Sequence, residues 1–313
     1  MTSAFKSIRS SLPLLLAIAV LMGWFRIWVP QFLGLENLLD LAQQISVNAI
    51  LAYGMTLVIL IGGIDLSVGA VVALVGTVTV AVLAQHGVAL GLCAGFGMAA
   101  LFGLINGVCA AGTRMPPFII TLATMLVARG VALRFNDGRP LAVPDAERFF
   151  LGLGNARLFG FLPVPVLLML AAFTVTAILL HRTRWGQHLY AIGGNREAAR
   201  FTGIPLARNE VLVYMLCALL AGLAGIIHAS QLYSAEPAAG QGFELNAIAA
   251  VVVGGTSFTG GIGSVRGTLI GAIVIGVLDK GLNQAGVHFS LQYIVKGFVI
   301  LAAVYLDVRR RKQ

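Results

Sequence analysis

The chain has 313 residues, of which 58% are hydrophobic and 11% charged, with a formal net charge of +9. A soluble globular domain carries about 25% charged residues, so water is not the main solvent of this surface, and a mean hydropathy of +0.93 agrees. The 21 Lys and Arg lie in short gaps between long apolar runs. That distribution excludes the clustered basic face of a nucleic-acid binder and matches the pattern that orients membrane proteins.

A bilayer-crossing helix needs roughly 20 mostly apolar residues. Lys6 and Arg9 precede an apolar run at 12–30, which passes through Trp24-Phe25-Arg26-Ile27-Trp28 and has no small-residue cleavage site. It reads as a retained first span with an aromatic belt at its outer end. Runs follow at 41–61, 66–84, 88–112 and 117–134, then at 163–181 beyond a loop at about 135–162. A second loop at about 182–208 leads to runs at 210–232, 267–285 and 289–306, with a shorter Gly- and Thr-rich run at 244–259. Pro30, Pro116-Pro117, Asn136-Asp137-Gly138, Pro163, Pro205 and Pro237 punctuate the series, as helix breaks require. The pattern predicts one all-α polytopic membrane domain over 1–313, with about ten transmembrane helices and Gly-rich broken or re-entrant segments. With the N-terminus in the cytoplasm, 13 of the 21 basic residues fall on cytoplasmic segments, among them Arg114, the 182–208 loop, Arg266 and the tail Arg309-Arg310-Arg311-Lys312. The positive-inside bias therefore places both termini in the cytoplasm.

A weak internal repeat is visible. A shift of 198 positions lays Asn48-Ala49-Ile50 on Asn246-Ala247-Ile248, Gly62-Gly63-Ile64 on Gly260-Gly261-Ile262 and Gly69 on Gly267. Transporters often arise by duplication; chance similarity between two Gly-rich apolar segments is the competing explanation. Within the first copy, Asp65 and Ser67 follow Gly62 and Gly63. A carboxylate near membrane depth is a functional candidate by default, yet Asp65 also suits the start of a helix near Leu66, where its oxygens would cap free N–H groups. The second stretch, from Gly254 to Gly267, has no carboxylate and reads as a broken helix. Asn48, Thr56, Gly62, Gly63, Asp65, Ser67, Asn246, Gly254, Gly255 and Thr256 are the candidate translocation-path or gating residues.

In the 182–208 loop, Asn195 is a good N-cap, Glu197 falls in the first turn, and Gly203 with Pro205 stops the helix. The segment Asn195, Arg196, Glu197, Ala198, Ala199, Arg200 to Gly203 is too short to be stable alone. It docks on a partner or lies on anionic lipid through Arg196 and Arg200; the residues allow either. Gly91/Gly95, Gly103/Gly107 and Gly267/Gly271 are small-residue pairs that let helices approach closely in lipid. Arg129, Lys280 and Lys296 fall near span ends, where snorkelling is the ordinary arrangement. Asp279 with Lys280, Asn283 and Gln284 makes a candidate polar patch near the outer mouth.

No G-x-x-x-x-G-K-[ST], H-E-x-x-H, G-x-S-x-G or C-x-x-C occurs in the sequence, so neither a P-loop nor a recognisable catalytic constellation is present. Cys93, Cys109 and Cys217 lie singly in apolar runs, and the five His are scattered; no metal site is expected. Few ionisable groups fall mid-span, unlike a proton-coupled carrier, so the energy for transport is expected to come from a partner.

The chain resembles the ribose-type monosaccharide permeases of bacterial ABC importers, within the branched-chain amino acid and sugar permease superfamily. The stretches carrying the resemblance are Asn48 to Gly69, Ala191-Ile-Gly-Gly-Asn195, Ala249 to Ser257, Gly281-Leu-Asn283 and Gln292-Tyr-Ile-Val-Lys-Gly297. Glu197-Ala198-Ala199…Gly203 resembles the E-A-A-x-x-x-G signature of such permeases, without the Leu-Pro that ends its longer form. The resemblance implies an inner-membrane subunit without its own ATPase site or bound cofactor, and makes 195–203 an ATPase-coupling helix. It implies as partners a second permease chain, a cytoplasmic ABC ATPase, a periplasmic sugar-binding protein and membrane lipid, with sugar passing between two permeases. A ribose, another pentose or a hexose is the expected cargo; another small polyol or an autoinducer sugar fits the same architecture. A non-conducting membrane scaffold or sensor is the alternative of a different class.

Overall fold

The computed structural model describes residues 2–311; Met1, Lys312 and Gln313, and with them the last residue of the expected basic tail, lie outside the described residues. Helices dominate. The first five are α1 (Thr2–Trp28), α2 (Leu35–Leu60), α3 (Val68–His86), α4 (Val88–Gly112) and α5 (Pro117–Arg134). Then come a short α6 (Arg148–Asn155), α7 (Val164–Arg182), α8 (Arg184–Gly194), α9 (Arg196–Phe201) and α10 (Leu206–Gln231). The chain ends in α11 (Phe243–Val253), α12 (Val265–Gln284) and α13 (Phe289–Arg311). The only strands among the described residues are two-residue pairs, β1 (Leu141–Ala142) with β4 (Ser234–Ala235) and β2 (Arg157–Leu158) with β3 (Leu162–Pro163).

Helix boundaries follow local chemistry. Pro116 and Pro117 open α5 where a missing N–H costs nothing. Thr183, Asn195 and Ser264 cap α8, α9 and α12, accepting from the backbone N of Gly186 at 3.2 Å, Ala198 at 3.0 Å and Gly267 at 3.1 Å. Asp65 does not do the same. Helix α3 starts at Val68 with Ser67 at its N-cap and no side-chain capping bond; Asp65, two residues upstream, closes the turn before it, accepting from the Ser67 N–H at 2.8 Å and the Ser67 hydroxyl at 2.6 Å.

Among the described residues, six helices are long and apolar enough to cross a membrane: α2, α3, α4, α5, α7 and α10. The other four expected spans coincide with α1, α11, α12 and α13. Helix α11 has only 11 residues, and α12 carries Arg266, Asp279 and Lys280. Helices α2 and α3 form the buried centre, flanked by α10, whose inner face packs on both, and by α4. Glycines set the spacing there: a methyl on Gly103 or Gly107 would sit 2.7 Å from Met215 Cα or 2.6 Å from Val211 Cα on α10. Outward faces of α4 and α5 are apolar, with Leu101, Leu104, Phe118, Leu126 and Val127 exposed, as lipid contact requires.

Candidate functional site

The helices define two ends. At one, α8 lies against the two Gly-rich turns at 61–67 and 254–264. The turns touch each other: the Gly261 N–H donates to the Leu60 carbonyl at 2.8 Å. Gly193, near the end of α8, sits against both groups so tightly that any Cβ there would collide with Leu60 O and Gly261 N. One turn earlier, the Tyr190 hydroxyl donates to Gly263 O at 2.7 Å. Burial holds that phenol above its ordinary range, so it stays a donor. Three segments far apart in sequence thus meet backbone to backbone.

Helix α9 projects beyond this junction. Its Ala199 is buried, Gly203 is left-handed (φ +81°), and the Ile204 N–H closes on Ala199 O at 3.2 Å. Arg196 pairs with Glu210 near the start of α10, whose side chain is only 6% exposed. Asn195, Glu197, Ala198 and Arg200 face outward. So does Phe201, at 87% exposure, a large apolar side chain that the sequence reading did not single out.

Of the ten candidate path residues, Asn48 and Asn246 line one cavity of about 620 Å³. The remaining eight are placed elsewhere. Thr56 Oγ1 meets Thr268 Oγ1 at 2.7 Å, tying α2 to α12. Gly62 (φ +82°) and Gly63 form the turn after α2, and Gly254 packs on the backbone of Gly267 while Gly255 (φ +87°) ends α11. Thr256 is buried beside Gly263. Asp65 is fully buried, and through Ser67 it joins a chain in which Asn106 donates to Ser67 Oγ at 2.9 Å and Thr124 to Asn106 Oδ1 at 2.6 Å. That network staples α4 and α5 to the turn.

The cavity lies toward the opposite end, among the start of α2, the ends of α10 and α12, and the starts of α11 and α13. The 135–162 loop packs there too: Gly154 N donates to Ser230 Oγ at 2.8 Å and Gln43 Nε2 to Gly154 O at 2.7 Å. Eight of its 21 lining residues are Asn or Gln, which makes it polar without making it strongly charged. Asp279 and Lys296, expected only as a patch residue and a snorkelling one, line it as an ion pair of 3.0 Å. Arg129 does not snorkel either; it donates to the carbonyls of Pro237 at 2.8 Å and Ala239 at 2.6 Å, holding the connection before α11. Among the described residues no group of three His, Cys, Asp or Glu converges as a metal site, and Cys93, Cys109 and Cys217 are unpaired.

A helical membrane fold with a recessed, amide-lined cavity at one end and a short exposed helix at the other fits a transport permease. The chain belongs to the family described as the branched-chain amino acid transport system permease component, which it matches over residues 37–304. It is 44% identical over 306 residues to the ribose import permease protein RbsC of Escherichia coli (strain K12), covering 95% of this chain and 93% of that protein. RbsC of Bacillus subtilis (strain 168) is 45% identical over 308 residues, covering 98% and 95%. The L-arabinose transport system permease protein AraH of E. coli (strain K12) is 36% identical over 300 residues, covering 96% and 90%. No solved structure matches the chain.

Proposed function

We propose that the chain is the membrane-spanning permease subunit of an ATP-driven ABC importer that carries a monosaccharide, ribose or a related pentose or hexose, across the bacterial inner membrane. The observation that carries this reading is identity of 41–45% with ribose import permeases over more than nine-tenths of the chain. Without a P-loop in the sequence, hydrolysis belongs to a partner ATPase. A periplasmic sugar-binding protein delivers the cargo, and a second permease chain completes the path.

In this reading all ten expected segments cross, with both termini in the cytoplasm. Helix α11, at 11 residues, rises only about 16 Å and forms a broken crossing with 254–264. The 198-residue shift carries α3 onto 266–284, one residue from the start of α12, which supports duplication of a helix–turn–helix unit. The 182–208 segment is then cytoplasmic, and the cavity faces the periplasmic half. Arg196, Glu197, Arg200 and Phe201 present α9 to the ATPase, and the Gly193 junction carries its displacement to both Gly-rich turns.

The test is uptake of labelled D-ribose in cells lacking their own ribose permease and expressing this chain with its ATPase and binding protein. ATP-dependent accumulation is expected. A chain that inserts normally yet supports uptake of neither ribose, arabinose nor any other monosaccharide would overturn the assignment.

A further inference from the structure

The cavity carries more than a path. Three of the atoms around it are buried polar atoms with no hydrogen-bond partner in the protein: Asn48 Oδ1, Gln231 Nε2 and Asp279 Oδ1. Such a group is unfavourable if left unpaired, so three on one cavity call for solvent or a bound molecule to pair them. Two are acceptors and one is a donor. A cation would satisfy only the acceptors, an anion only the donor, and an apolar molecule none. Water satisfies all three, and a ligand bearing several hydroxyls can take its place, because each hydroxyl both donates and accepts.

Charge narrows the class further. Lys296 is engaged by Asp279 at 3.0 Å, so the cavity offers no free cation to a phosphate or carboxylate. Asn246 adds an uncharged amide from α11, and Phe243, held edge-on to His228 with ring centroids 5.3 Å apart, adds an apolar face. A volume of about 620 Å³ lies within the roughly 300–1,000 Å³ of small-molecule sites.

We infer that this cavity is a saccharide subsite belonging to the permease chain itself, holding one neutral monosaccharide through Asn48, Gln231, Asn246 and Asp279 during its passage. The inference rests on the reading of the chain as a monosaccharide permease and adds that the membrane subunit, besides the delivering protein, discriminates among sugars.

Two measurements test it. Labelled D-ribose is equilibrated with the purified full-length permease in lipid nanodiscs, without the binding protein; saturable millimolar binding is expected, weakened at least tenfold in Asn48→Leu and Gln231→Leu. In the complete importer, the ratio of D-ribose to L-arabinose uptake is expected to change at least threefold in Asn48→Asp and Gln231→Glu, whereas Phe201→Ala lowers both sugars together. Conservative Asn48→Gln and Gln231→Asn variants serve where a larger change prevents insertion. Absence of saturable binding by the wild-type chain, or an uptake ratio unmoved in inserted variants while wild-type uptake proceeds, overturns the subsite. Failure of the wild-type importer to take up any monosaccharide overturns instead the importer reading beneath it.

Discussion

Replacing Gly193 by Ala adds one methyl group at the tightest point of the junction. That methyl would overlap the Leu60 carbonyl oxygen and crowd the Gly261 N–H, two backbone groups joined to each other by a 2.8 Å hydrogen bond. Neither is the end of a flexible side chain, so relief requires helix α8 or one of the turns to move. Overpacking of this kind costs about 1–3 kcal/mol, and losing the Gly261–Leu60 bond adds about 1 kcal/mol. The expected destabilisation is about 2–4 kcal/mol, a fall of roughly 4–16 °C in melting temperature at the 2–4 °C per kcal/mol seen in larger domains. Gly194 supplies the control. Nothing lies within 4 Å of a Cβ there, so Gly194→Ala is expected to be neutral or slightly stabilising. Thermal unfolding of the two purified variants, with D-ribose uptake in the complete importer, is the assay. Uptake is expected to fall at least tenfold in Gly193→Ala and stay near wild type in Gly194→Ala. Equal behaviour of the two variants, in either direction, would refute the backbone-to-backbone junction.

At Asp65, the Asn variant keeps an oxygen for both Ser67 donors and is expected to preserve insertion and most uptake. Asp65→Ala loses both bonds at about 1–3 kcal/mol, and an Asn variant as damaged as Ala, compared by thermal unfolding and uptake, would show that the charge matters. Arg196→Ala strands the Glu210 carboxylate; because Arg196 is half exposed, the loss is discounted for solvent to about 1–2 kcal/mol. A double-mutant cycle with Glu210→Gln is expected to recover part of it; strict additivity would deny the pairing. Phe201→Ala should leave stability within about 0.5 kcal/mol while cutting uptake at least tenfold, as loss of a docking anchor would. Unchanged uptake in that variant would move the ATPase contact elsewhere.

Apolar runs and their punctuation located the helices because each boundary is local chemistry: Pro116 and Pro117 before α5, Asn195 before α9, Gly203 after it. Paired glycines such as Gly103 and Gly107 were equally legible, since close approach leaves a composition mark. The cavity was not. Its walls come from 40–48, 228–246, 276–283 and 292–300, and no local pattern announces that Gln231 and Asp279 face one space. Arg129 and Lys296 illustrate the same limit: position near a span end reads as snorkelling, whereas the partners, Pro237 and Ala239 for one and Asp279 for the other, lie over 100 residues or a whole helix away. Asp65 was legible in part: its oxygen does take a free backbone N–H, that of Ser67, but the helix begins at Val68 and not at Leu66, so the bond closes the turn ahead of it.

Helix α1 packs on α12, with the Phe25 ring pressed against Gly281. Helix α1 therefore meets α12 only after some 250 further residues, between Trp28 and Gln284, have been made. At about 5–20 residues per second, that interval lasts on the order of 10–50 s. Throughout it the face of α1 that will hold Phe25 stays uncovered, so a chain stopped short of α12 presents an apolar surface that the finished protein hides. The seam between α1 and α12 thereby marks that synthesis has passed residue 284.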